Sequence, residues 1–194
     1  MNNNTHRGII MKNSIIEVIK DLKKVKRGHI CYFYSNEITY INNVVSFIAT
    51  GIRNGDHILL VENDRNILLI NKRLEKVLSK KEWTFLHVMN NYDFYYFNKN
   101  FNPHTIVNHF LENIEPFLKE GASICTWGLI EWGEDKEIHQ CIEEYEKEVD
   151  KITNEKGIIS VCAYNAGRTP DSLKELLIKC HGITLTDGEA VKLK

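Results

Sequence analysis

RGHICYFYSNEITYINNVVSFIATGIRNGDHILLVEND, residues 27–64, is the stretch whose reading decides the fold. Gly28–Tyr34 is short, aromatic and rich in β-formers, as a buried strand should be. From Ile41 the period changes. Ile41, Val44, Val45, Ile48 and Ile52 fall at i, i+3, i+4, i+7 and i+11, one stripe of a helix. Asn54-Gly55 supplies residues that tolerate positive φ and so end it. His57–Val61 then resumes a strand. Strand, helix, strand with one helix face to bury is the unit of a parallel sheet, and its right-handed crossover puts Tyr34-Ser35-Asn36-Glu37 at the carboxyl edge. Open α/β sheets bind ligands along that edge.

In P-loop proteins the first strand-to-helix loop is glycine-rich and ends in Gly-Lys-Ser/Thr, so that amides and a lysine cradle phosphates. Here it reads Tyr-Ser-Asn-Glu-Ile-Thr, without glycine or lysine, and Glu37 stands in the first helical turn. A carboxylate there complements the helix dipole and repels a phosphate. The shape is that of a nucleotide-binding unit with a degenerate phosphate loop.

Beyond this unit, His29–Tyr34, Gly51–Asp56, Trp127-Gly128 with Glu131-Trp132, Glu144-Tyr145-Glu146 and Cys162-Ala163-Tyr164 occur in that order. With these segments the chain resembles the MEDS family, the methanogen/methylotroph DcmR-type sensory domain, from about Arg27 to about Asp187. The resemblance implies a RecA-like three-layer sandwich, a sensory role in bacterial or archaeal signalling, and no working phosphate loop. Many members carry a DNA-binding or kinase module, for which these 194 residues leave no room.

That length suits one domain with a full core. The expected division is an N-terminal extension with a short helix over residues 1–26 and a sensory domain over 27–194. Twenty-five basic and 26 acidic residues leave a formal charge of −1, which argues against direct nucleic-acid binding. No apolar run approaches the roughly 20 residues that span a bilayer, so no membrane segment is expected. Nor does the N-terminus have the apolar core of a secretory signal. Five isolated cysteines suit a reducing, cytoplasmic setting.

Residues 1–11 read as a ragged start, followed by a helix capped by Ser14 and running to about Val25. After the opening unit come a helix at Asn66–Ser79, a strand at Trp83–Met89 and an aromatic loop at Asn90–Asn102. That loop is either a ligand lid or, by the stronger reading, a set of rings plugging the core. Asn102-Pro103 opens the next helix. Ser123–Trp127 is a strand, Glu134–Thr153 a helix, and Gly157–Tyr164 a continuous apolar strand placed centrally. A last helix reaches Cys180, and Gly182–Thr186 with Ala190–Leu193 form a hairpin around Asp187-Gly188. The sum is an α/β fold with a mostly parallel sheet of about five strands plus that hairpin.

Loops after the first, fourth and fifth strands should converge. They offer Tyr34, Ser35 and Glu37, then Trp127 and Glu131, then Arg168, with Glu62 and Asn63 from the second strand. Trp127 supplies a flat wall, the glutamates acceptors, and Arg168 a clamp for a carboxylate or phosphate. The plainer alternative pairs Glu131 with Arg168 as a structural bridge. No metal is expected: His104 and His109 are five apart, and no H-x-x-x-H or C-x-x-C pair exists. Cys125 and Cys162 sit in apolar strands, where thiols pack inertly, and there is no G-x-S-x-G elbow. The reading is a non-catalytic sensory or regulatory domain without a cofactor, binding an unidentified small molecule or a protein such as a signalling kinase or regulator. It signals through that contact or by forming a homodimer. A residual nucleotide-binding enzyme of the RecA-like class is the alternative.

Overall fold

A computed structural model describes residues 9–11, 15–25, 27–132, 138–188 and 190–192. Its centre is β2 (Gly28–Tyr34), the strand that opens the deciding stretch. Six residues of β2 in succession are buried, because both faces of the sheet are covered. The helix that follows, α2 (Glu37–Arg53), begins four residues before the apolar stripe does. The Asn36 side chain accepts from the Thr39 amide and caps it there. Gly55, at φ 85°, closes the turn into β3 (His57–Glu62).

The rest alternates in the same way. In chain order come α3 (Asp64–Leu74), a short 3₁₀ turn (Glu82–Phe85), β4 (Leu86–Asn90), α4 (Asn91–Tyr95), α5 (Pro103–Lys119) and β5 (Ile124–Leu129). Then follow α6 (Ile138–Lys156), β6 (Ile159–Asn165), α7 (Asp171–Cys180), β7 (Ile183–Thr186) and β8 (Ala190–Lys192). The N-terminal elements are β1 (Ile9–Met11) and α1 (Ile15–Val25). The sheet order is β1-β8-β7-β2-β6-β5-β3-β4. The six strands from β7 to β4 are all parallel, and β8 runs antiparallel between β7 and β1.

Two differences from the sequence reading concern the edge. The first arm of the hairpin is itself a parallel strand against β2, with Ile30 opposite Ile183 and Phe33 opposite Thr186. The supposedly ragged start contains β1, which pairs with β8. The expected Ser14 cap, the helix start at Glu134 and the strand end at Leu193 lie outside the described residues. The third expected strand starts late. Trp83 sits in the 3₁₀ turn, and β4 begins only at Leu86.

One face of the sheet packs against α1, α2 and α3, around Ile19, Val44, Phe47, Ile48, Ile70 and Leu74. The other packs against α4 to α7, around Phe94, Phe110, Ile114, Ile142, Val149 and Leu173. In the aromatic stretch Phe94, Tyr95 and Phe101 are buried under α5 and α6, so the rings plug the core. Only Tyr92 and Phe97 are exposed. Gly128 in β5 is required here: the Tyr95 hydroxyl stands where a β-carbon would be.

Neighbouring strands send their chains to opposite faces at β2/β6 and again at β5/β3. Crevices open at such reversals, outside the carboxyl ends of the strands.

Candidate functional site

Glu62 ends β3 and points into the α2 face, where it is fully buried. Three donors hold it. The Tyr40 hydroxyl donates to Oε2, while the Asn63 amide (2.9 Å) and Asn66 Nδ2 (3.1 Å) donate to Oε1. Burial nonetheless dominates, and with the charge of Glu131 nearby it pushes the Glu62 carboxyl up to about 7. Tyr34 stacks on Tyr40 at 4.2 Å between ring centroids. Its hydroxyl is pushed up to about 12 by burial, then by the surrounding glutamate charges.

Glu131, just after β5, is joined to this group through asparagines. Asn63 Nδ2 (3.1 Å) and Asn91 Nδ2 (2.9 Å) both donate to its Oε2. Arg168 approaches the other oxygen at 3.8 Å and donates to the Trp132 carbonyl at 2.9 Å. The loop carrying Arg168 is fixed from below. Ala166 donates its amide to the Tyr34 carbonyl (2.8 Å), and the Asn165 side chain accepts from the Gly167 and Arg168 amides. Ile130, Glu131, Trp132, Asn165 and Arg168 enclose a cavity of about 10 Å³, room for one water.

At the start of α2 the backbone amides of Ser35 and Asn36 both donate to Asp187 Oδ2, each at 2.8 Å. The Tyr32 hydroxyl donates to Asp187 Oδ1 at 2.7 Å. A helix N-terminus with two free amides is an anion seat. In this chain the anion is its own carboxylate, brought round by the turn after β7.

Of the sequence-predicted residues, Tyr34, Glu62, Glu131 and Arg168 meet at the carboxyl edge. Ser35 meets Asp187 instead. Glu37 turns outward to Arg65 at 2.9 Å. Trp127 is not a loop residue: it lies inside β5, fully buried, with Nε1 donating to the Tyr40 hydroxyl at 3.0 Å. It supports the site from the core rather than walling it. Sequence reasoning placed Asn63 beside Glu62 but missed Tyr40, Asn66, Asn91 and Asp187.

Among the described residues, one group could hold a metal, and it lies elsewhere: His29, Glu146, Cys162 and His181, all buried beneath α6 and α7. Burial would raise the Glu146 carboxyl, but the charges and bonds of His181 and His29 outweigh it and hold it well below the usual range.

The parallel α/β sheet flanked by helices resembles the fold of RecA-like ATPase domains. A solved ATPase domain superimposes with a TM-score of 0.54 at 10% identity, covering 83% of this chain and 69% of that one, a likeness of fold alone. PCH-2 from C. elegans matches at a TM-score of 0.48 and 13% identity. It covers 91% of this chain, which spans only 42% of that one. No curated protein is significantly similar in sequence. Residues 28–182 match the family described as "MEDS: MEthanogen/methylotroph, DcmR Sensory domain", and the chain belongs to this family. Its role is accordingly sensory. Among the described residues no helix is long and apolar enough to cross a membrane.

Proposed function

We propose that this domain is a non-catalytic sensor that binds a small polar molecule at the Glu131–Arg168 edge and passes the event to a signalling protein. The observation that carries this reading is Asp187. In a RecA-like nucleotide site the amides opening the first crossover helix are free for phosphate. Here they are bonded to a carboxylate of the same chain. Glu37 beside them adds a second negative charge. The alternative, a residual nucleotide-binding enzyme, would have to displace the one and tolerate the other.

Glu131 accepts and Arg168 donates, so the pair suits a ligand with a hydrogen-bond donor and an acceptor a few ångströms apart. The enclosed space holds only a water. A ligand therefore enters by breaking the Arg168–Trp132 bond, which moves the loop after β6 away from Trp132. That movement is the signal, delivered to a partner such as a kinase or regulator, or to a second copy of the chain.

The test is mass spectrometry of small molecules released from the purified protein and from Arg168→Ala and Glu131→Gln. The same molecule should be retained by the parent and lost from both variants. Magnesium ATP should neither raise the melting temperature nor be hydrolysed. Hydrolysis that survives purification and disappears in Arg168→Ala would overturn the proposal.

A further inference from the structure

Beneath α6 and α7, on the face of the sheet away from Glu62, four side chains from four separate elements converge. His29 comes from the start of β2, Cys162 from the middle of β6, Glu146 from α6, and His181 from the residue after α7. All are buried, with Glu146 at 0% and Cys162 at 2% exposure. One nitrogen, oxygen or sulfur atom from each lies within 4.8 Å of the others. His29 Nε2 is 3.1 Å from Glu146 Oε2 and 3.3 Å from Cys162 Sγ. His181 Nε2 is 3.3 Å from the same glutamate oxygen.

The three shortest of these separations are close to those of ligands around a single ion, and the longer ones, up to 4.8 Å, would shorten as an ion is bound. Zinc bonds of about 2.0–2.1 Å to nitrogen or oxygen and about 2.3 Å to sulfur give tetrahedral edges of roughly 3.3–3.6 Å. The polar atoms facing the centre are also short of hydrogen bonds. Glu146 Oε2 and His181 Nε2 are fully enclosed and face each other at 3.3 Å without a well-aligned hydrogen bond. Buried polar atoms are nearly always satisfied, and two unsatisfied atoms aimed at one point call for a cation there.

The atoms facing away are supported as metal ligands usually are. His181 Nδ1 lies 2.7 Å from the Leu177 carbonyl, to which it donates, leaving the Nε2 lone pair inward. Asp150 Oδ1 stands 3.4 Å from His29 Nδ1, not aligned as a hydrogen bond but within reach of becoming one. The Tyr164 hydroxyl donates to the second oxygen of Glu146. Asp150 also lines a groove of about 370 Å³ between α6 and α7, which gives an ion a way in from the surface.

We propose that His29, Glu146, Cys162 and His181 form a closed binding site for one divalent transition-metal ion of the zinc class. The donor set selects the ion. Two imidazoles with one thiolate are softer than calcium or magnesium accept, and a carboxylate plus a thiolate balance a charge of +2 without water. With four protein ligands and no open position, the ion is structural. It ties β2 and β6 to α6 and α7, the elements that carry the Arg168 loop.

The test uses Zn²⁺ and Co²⁺ as probes. Chelator-treated wild-type protein, dialysed and given Zn²⁺, should retain one ion per chain and melt at a higher temperature than the chelated form. With Co²⁺ it should show intense visible bands of tetrahedral geometry and a near-ultraviolet thiolate band. Cys162→Ser should lose the thiolate band and bind more weakly. Asp150→Asn, which removes only the outer partner of His29, should weaken affinity by about 10–100-fold. Should a ligand variant fail to fold, the comparison of chelated and reloaded wild type and the Asp150→Asn titration still decide. Folded wild-type protein that retains no Zn²⁺, or that binds Co²⁺ without a thiolate band, overturns the site.

Discussion

Replacing Glu62 by glutamine should make two stability curves cross as pH rises. Glu62 titrates near 7 in the folded chain, against an ordinary 4.5. Between those values the folded state holds a proton that the unfolded state has lost. Stability therefore falls as pH rises through the window, by about 1.4 kcal/mol per pH unit. The total is roughly 3 kcal/mol, absent below pH 4.5 and complete above about 7. Glutamine carries no such penalty. It keeps an oxygen for the Asn63 amide and Asn66, but turns an amide toward the Tyr40 hydroxyl, which already accepts from Trp127. The tyrosine proton is then left without an acceptor, at a cost of about 1–2 kcal/mol. At pH 5, where about 0.7 kcal/mol of that penalty is already present, wild type should still be level or ahead, by up to about 1 kcal/mol, and at pH 8 Glu62→Gln should be ahead. Urea denaturation of both proteins at several pH values between 5 and 8 measures the difference, in which other titrating groups cancel. A constant difference across the range would mean that Glu62 ionises as an exposed carboxyl does, and the buried site is misread.

Trp127→Ala should cost about 3–5 kcal/mol of stability, comparable to or above the core change Ile159→Ala, because the ring is fully enclosed against Phe47 and Tyr40; denaturation measures both. Arg168→Ala, whose side chain is more than half exposed, should leave stability within about 0.5 kcal/mol of wild type while abolishing small-molecule retention. Asp187→Ala frees the Ser35 and Asn36 amides and the Tyr32 hydroxyl and should destabilise by about 1–3 kcal/mol in the same denaturation assay. Gly128→Ala forces the buried Tyr95 ring to shift and should cost about 1–3 kcal/mol, read as a lowered melting temperature.

The central strands and helices could be read from sequence because burial on two faces writes itself as unbroken apolar runs, as in Gly28–Tyr34 and Ile159–Tyr164. The β3-to-α3 unit was also visible, although α3 starts at Asp64 and ends at Leu74 rather than spanning Asn66–Ser79. β1 was not, since three residues that pair at a sheet edge leave too little periodicity to detect. β7 looked like half of a hairpin because local pairing with β8 is visible in sequence and long-range pairing with β2 is not. Glu62, Glu131 and Arg168 could be placed at one edge from strand ends alone. Trp127 was misplaced by two residues of strand length: β5 runs to Leu129, so the ring alternates into the core. Asn91 bridges to Glu131 from the first turn of α4, a five-residue helix too short to show a period among its aromatic neighbours. His29, Glu146, Cys162 and His181 escaped for another reason. Short-range spacing rules detect ligands on one element, and these come from four.

The contact between Asp187 and the first crossover makes the anion seat a competition rather than a vacancy. A carboxylate tethered by a paired strand is present at its seat at an effective concentration on the order of millimolar or more. A dissolved anion must outcompete this resident, so its apparent affinity falls by the factor with which the resident is docked. The coupling runs both ways. Whatever pulls the turn at Asp187 away from α2 raises anion affinity there, and whatever anion binds there releases the turn. The terminal hairpin and the first crossover of the fold thus report on each other without a shared ligand.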